Sequence, residues 1–228
     1  MDQKVCYLLV GNTRLHWAQK INQKYNFSHT LKEESIPDEI TIDNLIWASV
    51  ANYPIKQFKK ENELQIKDLN LKNLPKNFGI DRAFGCVAAL NIINNPLNKN
   101  LLIADFGTIL SITKVDHQGY FIGGQLIPGF LTQLKSMEQN TKNLKCPDNF
   151  NIPEENFQIS TKKAMLKGVY NSLIGVIKLC FNSQKDILII CGGDSEVIGK
   201  KMKLDIDEMI INPNLVMRGM ILTKENLN

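Results

Sequence analysis

The feature that most constrains the fold is a strand, a glycine turn and a second strand that occur twice in the chain. Residues 5–10 form an apolar run, residues 11–13 (Gly-Asn-Thr) interrupt it, and an alternating apolar pattern follows. The same layout returns at residues 101–115, where the turn glycine Gly107 lies 96 residues after Gly11 (107 minus 11). Apolar runs separated by a short glycine turn are typical of antiparallel hairpins. Their repetition predicts a duplicated unit and hence two similar α/β domains, residues 1–96 and residues 97–228.

Hydrophobic periodicity predicts the other elements. Residues 161–180 carry apolar side chains at three- and four-residue spacing, which predicts a helix with Thr161 at its N-cap. The apolar run at residues 186–191 ends in Gly192-Gly193, which predicts a buried strand that runs into a glycine turn. The remaining expectations are a strand over 44–50, surface connections over 53–76, a helix over 82–93 and a third strand over 120–129.

Composition narrows the class of protein. The chain has 228 residues, 43% hydrophobic and 22% charged, which is ordinary for a folded globular protein. The net charge is +4 and the basic residues are scattered in short groups, so we expect no nucleic-acid partner. The five cysteines include no Cys-x-x-Cys pair, and His16, His29 and His117 form no cluster in the sequence, which argues against a zinc site, a disulfide framework and a metal hydrolase.

The N-terminus lacks the layout of a signal peptide, and no apolar run approaches the roughly 20 residues of a membrane span. We therefore expect a cytoplasmic protein that does not bind a membrane.

The two glycine turns have the chemistry to hold phosphate. Without a Cβ, Gly11 and Gly107 let backbone N–H groups approach a phosphate closely, and the threonine beside each glycine adds a hydroxyl donor. Asp105 ends an apolar run, where a carboxylate is costly unless it is hydrogen-bonded or bound to a cation. Structural hairpins, and an aspartate that caps its own turn, explain the same residues without a ligand. Both interpretations stay open on local sequence alone.

Gly79-Ile80-Asp81-Arg82 places a carboxylate and a guanidinium side by side at a predicted helix start. A helix N-cap is one explanation of Asp81. A phosphotransferase gives Asp81 a proton to accept from an alcohol, while Arg82 or the helix N-terminus binds an anionic group of the substrate. No serine or cysteine is paired with a base, so a nucleophilic mechanism has little support.

Read together and in order, these motifs resemble the type III pantothenate kinase family, relatives of the Bvg accessory factor. The matching segments are residues 9–13 for the first phosphate motif (Asp-x-Gly-Asn-Thr/Ser), 79–82 for Gly-x-Asp-Arg, 105–108 for the second phosphate motif (Asp-x-Gly-Thr), 123–129 for Gly-Gly-x-Ile-x-Pro-Gly, 161–164 for Thr-x-x-Ala and 192–193 for the adenosine-side Gly-Gly. The resemblance covers nearly the whole chain, and the conjunction of spaced motifs is far more specific than any one of them.

This resemblance implies two tandem ribonuclease H-like domains with ATP in the cleft between them, the actin/hexokinase-like ATPase fold. It implies ATP-dependent phosphorylation of pantothenate to 4′-phosphopantothenate, the first step of coenzyme A biosynthesis. Mg²⁺ and a monovalent cation, K⁺ or NH₄⁺, are implied as cofactors. A homodimer is implied as well, with the pantothenate pocket completed by the partner subunit.

The resemblance also assigns roles to residues. Asp81 is implied as the general base on the pantothenate hydroxyl, and Asp105 as a ligand of the monovalent cation. The residues implied to bind pantothenate are Gly79, Ile80, Asp81, Arg82 and Thr161. The residues implied to bind ATP are Gly11, Asn12, Thr13, Arg14, Thr108, Gly192 and Gly193.

Two positions depart from the family pattern. Leu9 replaces the opening aspartate of the first motif and can neither coordinate nor water-bridge a cation. Thr113 stands eight residues after Asp105, at a position that is usually acidic in the family. These departures keep open a second function, a nucleotide-binding regulatory module with weak or no kinase activity. A sugar kinase of the same superfamily is a third, although the short chain and the lack of a Cys/His zinc cluster count against it.

Overall fold

A computed structural model describes residues 5–32, 44–51, 53, 58–95, 97–202 and 209–227. These residues form two compact units. The first comprises Met1–Asn94, Gln118–Phe121 and Asn214–Asn228, and the second comprises Asn95–His117 and Ile122–Pro213. The predicted boundary between residues 96 and 97 falls at Pro96, which lies outside the described residues, and the predicted domain limits stay a prediction.

The strands and α-helices follow one another in this order: β1 (Cys6–Val10), β2 (Arg14–Ile21), β3 (Lys24–Leu31), β4 (Leu45–Ser49), α1 (Ile80–Ile92), β5 (Asn100–Phe106), β6 (Ile109–Val115), β7 (Phe121–Pro128), α2 (Phe130–Asn140), α3 (Thr161–Cys180), β8 (Asp186–Cys191), α4 (Ser195–Met202), β9 (Met209–Ile211) and α5 (Leu215–Glu225). Two short 3₁₀ helices, Lys60–Asn62 and Ile66–Asp68, lie between β4 and α1. Among the helices of the described ranges, none combines the length and the apolar character that crossing a membrane requires.

The first sheet and the first four strands of the second sheet share one order. The first has the strand order β3-β2-β1-β4 and the second the order β7-β6-β5-β8-β9. In the first sheet β1 pairs antiparallel with β2 and parallel with β4. In the second sheet β5 likewise pairs antiparallel with β6 and parallel with β8. Each sheet therefore has the arrangement of a ribonuclease H-like unit, and the predicted duplication is confirmed at the level of topology.

The central strands are buried on both faces, which explains why they are continuous apolar runs rather than alternating ones. Every residue of β1 is buried. On one face Tyr7 and Leu9 pack in a cluster with residues of α1 and α5. On the other face Leu8 and Val10 pack with the β2 and β4 side chains of a second cluster.

In the second unit, α2 and α3 cover one face of the sheet. Their buried side chains, such as Leu134 and Leu173, share a cluster with Leu102 of β5, Ile112 of β6 and Ile190 of β8. This packing accounts for the three- and four-residue apolar spacing of α3. The predicted helix over residues 161–180 is confirmed with both bounds.

Several local predictions need correction. The N-cap of α3 is Ser160 rather than Thr161, and it makes no side-chain cap bond. Helix α1 begins at Ile80, not residue 82. The third strand of the first unit, β3, was not predicted, because Asn22 and Gln23 form the turn before it with φ of 50° and 65°, a conformation that sequence patterns usually assign to glycine.

Candidate active site

The first glycine turn is tight and open to solvent. The backbone N–H of Gly11 donates a hydrogen bond of 2.9 Å to the carbonyl oxygen of Arg14. A Cβ on Gly11 would come within 2.9 Å of that same oxygen, which is closer than real Cβ contacts allow. Asn12, Thr13 and Arg14 are exposed on the turn. The turn thus requires glycine at its first position and presents polar groups outward.

Leu9 is a core residue here. Its side chain is 3% exposed and packs among Tyr7, Ala18 and Ala48. The side chain of leucine has no oxygen atom with which to coordinate a cation. The first turn therefore has no acidic group at the position where the family motif has aspartate.

Sequence reasoning missed His16, which lies beside the first turn. A Cβ on Gly11 would be 3.2 Å from the Nε2 atom of His16. Burial, followed by the charges of His29 and Arg14, lowers the pKa of His16 to about 4, so the imidazole is neutral near pH 7. The rings of His16 and His29 lie 6.4 Å apart across β2 and β3. The available signal was the alternation of β2, which puts His16 on the same face as Leu9.

Asp81 is held at the N-terminus of α1. The N-cap is Gly79, not Asp81, so the N-cap interpretation of Asp81 does not hold. The Oδ1 atom of Asp81 accepts a hydrogen bond of 2.8 Å from the backbone N–H of Arg82. Burial raises the pKa of Asp81, partly offset by this hydrogen bond and by the charge of Arg82. A desolvated carboxylate with a raised pKa is better suited to accept a proton than an ordinary aspartate.

Gly79 is needed for the position of that carboxylate. Its backbone has φ −67° and ψ 131°, which any residue can adopt. A Cβ at this position would nevertheless come within 2.6 Å of Asp81 Oδ1. The glycine in the Gly-x-Asp-Arg motif therefore makes room for the aspartate side chain.

Arg82 is fixed by aromatic rings. Its guanidinium carbon lies 4.4 Å from the ring centre of Phe78 and 6.0 Å from that of Phe121. The two rings pack edge to face with centroids 5.0 Å apart. Burial lowers the pKa of Arg82 from its ordinary value. Ile80 is 8% exposed and packs in the core of the first unit.

A cavity of about 380 Å³ opens in the first unit beside Gly79 and Ile80. Ser49 and Val50, at the carboxyl end of β4, line the same cavity. The backbone N–H of Val50 donates a hydrogen bond of 3.0 Å to the carbonyl oxygen of Val10. The first glycine turn and the Gly79 turn are thereby brought to the same edge of the first sheet.

The second glycine turn is supported by the start of α2. The N–H of Gly129 donates to the carbonyl oxygen of Thr108 at 2.9 Å, and the Oγ1 of Thr132 donates to the same oxygen at 2.6 Å. A Cβ on Gly129 would collide with the carbonyl oxygen of Gly107. Thr108 is exposed on this turn. The close approach explains why Gly129 follows the Ile-Pro pair at the end of β7.

Asp105 and the glycines after β8 form one group. Gly192 has a φ of +90°, and a Cβ on it would collide with Asp105 Oδ1 and with the carbonyl oxygen of Phe106. Gly193 is exposed, and a Cβ there would meet nothing within 4 Å. Ser195 begins α4 and donates through its hydroxyl to the carbonyl oxygen of Gly192 at 2.6 Å. The predicted residues Asp105, Gly192 and Gly193 are therefore neighbours at the carboxyl ends of β5 and β8.

Thr161 lies on a different element, the helix α3. It is the exposed first residue of α3 in the second unit.

Within the residues that the structure describes, no group of three or more His, Cys, Asp or Glu side chains could hold a metal ion. All five cysteines are free thiols, and three of them are buried.

Known proteins resemble this chain in sequence and in fold. A type III pantothenate kinase of Gloeobacter violaceus is 29% identical over 204 residues, which is 82% of this chain and 84% of the relative. The solved structure of a Campylobacter jejuni protein described as a Baf family transcriptional activator superposes with a TM-score of 0.69 at 18% identity, covering 98% of this chain and 100% of that one. An archaeal actin homologue solved in complex with ADP superposes with a TM-score of 0.54 at 14% identity, again over 98% and 100%. At such identities the two structures inform on the fold alone.

Two ribonuclease H-like units, each with a glycine turn after its first strand, define the actin/hexokinase-like fold. The family model described as type III pantothenate kinase matches residues 47–183, more than half of the chain. The protein belongs to the type III pantothenate kinase family.

Proposed function

We propose that the protein transfers the γ-phosphoryl group of ATP to the primary hydroxyl of pantothenate and produces 4′-phosphopantothenate, the first step of coenzyme A biosynthesis. Membership of the family supports this reaction over a regulatory module or a sugar kinase. The structural observation that carries it is the desolvated carboxylate of Asp81, which lies against Gly79 and accepts a hydrogen bond from the N–H of Arg82, next to the cavity-lining residues Gly79 and Ile80.

Asp81 is the general base in this mechanism. Its raised pKa increases its basicity, and the hydrogen bond from the Arg82 N–H holds its Oδ1 atom in place. Proton transfer to such a base makes the alcohol oxygen more nucleophilic toward the γ-phosphorus. Arg82 and the first turn of α1 bind the anionic acceptor, in keeping with the positive end of a helix dipole.

ATP is held by the glycine turns. Gly11, Asn12 and Thr13 present backbone and side-chain donors in the first unit, and Arg14 adds a positive charge. Thr108 in the second unit adds a hydroxyl, and Gly193 gives an open surface on which the adenosine can lie. Donors set in place before the reaction stabilise charge on the transferring group without further reorganisation.

The two strand ends differ in what they offer a cation: Asp105 has a carboxylate for a monovalent cation, whereas Leu9 has no ligand for Mg²⁺. Asp105, half-buried against Gly192, supplies one oxygen ligand suited to a monovalent cation, K⁺ or NH₄⁺. Leu9, buried in the core, gives Mg²⁺ no ligand, so we assign no protein carboxylate of the first turn to it. When bound, these cations offset negative charge on the phosphates.

A second copy of the chain completes the pantothenate site through Thr161. The segment just before Thr161 carries Phe157, which is 96% exposed, and Ile159, which is fully exposed. Large apolar side chains this exposed are typical of surfaces that a partner covers. Homodimer formation would bury Phe157 and Ile159 and place Thr161 in the pantothenate site of the partner subunit.

Complementation between inactive variants tests this dimer. An Asp81→Asn chain and a Thr161→Ala chain are each expected to be impaired as homodimers. Unfolding and refolding them together yields heterodimers with one intact site, and statistical mixing should restore up to about a quarter of wild-type activity. A mixture no more active than its parents, or a monomer in light scattering, would contradict the shared site.

The reaction itself is tested with purified protein, ATP, Mg²⁺, K⁺ and pantothenate. Wild type should form phosphopantothenate, and Asp81→Asn should lose activity by about 10²- to 10⁴-fold while keeping its circular dichroism spectrum. Absence of product from folded wild-type protein would reject the kinase, and wild-type turnover by Asp81→Asn would remove Asp81 from the base role. We also place the protein in the cytoplasm, where ATP is supplied.

A further inference from the structure

Glycines of the site motifs make room for polar side chains. The glycines beside Asp81 and Asp105 each leave space for one carboxylate oxygen of these residues, because a Cβ would collide with it. Gly11 does the same for an imidazole, since a Cβ there would lie 3.2 Å from the Nε2 atom of His16. Both aspartates have proposed roles in the reaction, whereas His16 has none so far.

His16 is the cross-strand neighbour of Leu9. The two residues are paired in the antiparallel register of β1 and β2, so their side chains lie on the same face of the first sheet. Leu9 occupies the position at which the family motif has aspartate, and its side chain has no polar atom. The imidazole of His16 therefore places a polar group one strand away from the position that lacks the acid.

The imidazole has hydrogen-bonding capacity that its protein neighbours do not use. His16 is half-buried, and neither ring nitrogen forms a hydrogen bond within the described ranges. In that same part of the chain no fully buried side-chain nitrogen lacks a partner, so the ring nitrogens of His16 keep access from the surface. A polar group that has lost part of its hydration is stabilised when a ligand supplies the missing hydrogen bond.

A phosphate oxygen is the acceptor that fits this place. Asn12 and Thr13 are exposed on the adjoining turn as further donors, and Arg14 adds a positive charge. The imidazole is neutral near pH 7, so it donates one hydrogen bond to an oxyanion without bringing a second positive charge beside Arg14. The ring also lies against Gly11, where the missing Cβ lets a phosphate approach the backbone.

We propose that His16 is a further nucleotide-binding residue, whose Nε2–H donates a hydrogen bond to a phosphate oxygen of the ATP held by the first glycine turn. This inference rests on the proposed function, in which ATP is the phosphoryl donor. Strand β2 thereby contributes a polar contact to the nucleotide in a chain whose β1 ends in the apolar residues Leu9 and Val10.

The test removes the ring nitrogens and keeps the shape of the ring. His16→Phe should weaken the binding of ATP about tenfold in calorimetry, since one hydrogen bond to a charged group is lost. His16→Gln puts an amide nitrogen near the position of Nε2 and should recover most of this affinity, whereas His16→Asn puts one near that of Nδ1 and should not. Binding of adenosine, which has no phosphate, and KM for pantothenate should stay unchanged.

His29→Phe is the matched control, because the exposed ring of His29 lies 6.4 Å from that of His16 on the neighbouring strand. It should leave the Kd for ATP unchanged. The loss in His16→Phe should appear with ATP in EDTA as well as with Mg²⁺. A loss confined to Mg²⁺-ATP would mean that His16 meets the hydrated cation, and it would overturn the direct contact with phosphate.

Unchanged ATP affinity in folded His16→Phe, or an equal loss for adenosine, would also overturn the proposal. Should His16→Phe not fold, equal ATP affinities of His16→Gln and His16→Asn would overturn it instead. Calorimetry needs no turnover, so these results decide the role of His16 even if wild type forms no phosphopantothenate, an outcome that would reject the proposed function alone.

Discussion

The carboxylate of Asp105 and the backbone of Gly192 lie so close that no side chain can stand between them. The Cβ of any other residue at position 192 would collide with Asp105 Oδ1, and it would also require a φ of +90°. Asp105 pairs with Cys191, the last residue of β8, and Gly192 follows Cys191 directly. Gly192 thus decides where the Asp105 carboxylate can lie.

Replacing Gly192 by alanine should both destabilise the protein and displace Asp105. We expect a loss of about 2 kcal/mol or more in the free energy of unfolding, since strained backbone alone costs about 1–3 kcal/mol, together with at least a tenfold fall in kinase activity. Gly193→Ala is the control, because a Cβ there has open space and the backbone N–H remains. Denaturant titration and the kinase assay measure both effects. Equal behaviour of the two variants would mean that Gly192 does not position Asp105.

The raised pKa of Asp81 predicts a pH-dependent difference in stability. Burial raises the pKa of this acid above its unfolded value, so the native state binds the proton more tightly and loses stability as the pH rises through the two values. Asp81→Asn lacks this effect and should be more stable than wild type near pH 7. The difference should close as the pH falls below the ordinary aspartate range. Thermal unfolding of both proteins from pH 3 to 7 measures it, and a less stable variant at pH 7 would contradict the assignment.

A buried ion pair should stabilise the second unit. Lys114 Nζ lies 2.7 Å from an oxygen of Asp186, whose side chain is fully buried. Lys114→Met leaves that carboxylate without its cation and should cost about 3 kcal/mol. The double variant with Asp186→Asn should recover part of this loss. Lys162→Met is the control, because its partner Asp148 is exposed. Similar melting temperatures for the two lysine variants would show that the buried pair contributes little.

The packing of α5 on α1 should not tolerate a methyl group at Gly219. A Cβ at this position would collide with the carbonyl oxygen of Phe84. Gly219→Ala should therefore cost about 2–3 kcal/mol by forcing the helices apart. Gly168→Ala, in the middle of α3 with nothing within 4 Å of the new Cβ, should instead gain up to about 1 kcal/mol from helix propensity. Urea titrations that show the same sign for both changes would refute the close contact.

Hydrophobic pattern and glycine placement were enough to predict the hairpins, α3 and the motif positions. They were not enough where the decisive contact is long-range. Gly219 weakens the helical pattern of α5 in the sequence. The reason for a glycine there is the close contact with the carbonyl oxygen of Phe84, which the sequence does not show. The pairing of Lys72 with the segment before β7 likewise depends on a backbone register that no local pattern encodes.

Within the candidate site, sequence indicated which residues to examine but not their surroundings. Asp81 was placed at a helix start, yet its desolvation depends on packing around α1. Ile80 is assigned to the substrate by its position in a motif, and the sequence did not indicate that its side chain is only 8% exposed beside the cavity. The assignments of the site residues, Ile80 included, stay predictions until ligands are bound.

The return of α5 to the first unit affects how the protein matures on the ribosome. Residues of α1 and β1 emerge early, but the helix that covers them, with Met217, Met220 and Ile221, is translated only after the second unit. Until then the nascent chain exposes an apolar groove that chaperones can recognise and that can associate with other chains. The amino-terminal half thus begins folding first and finishes last.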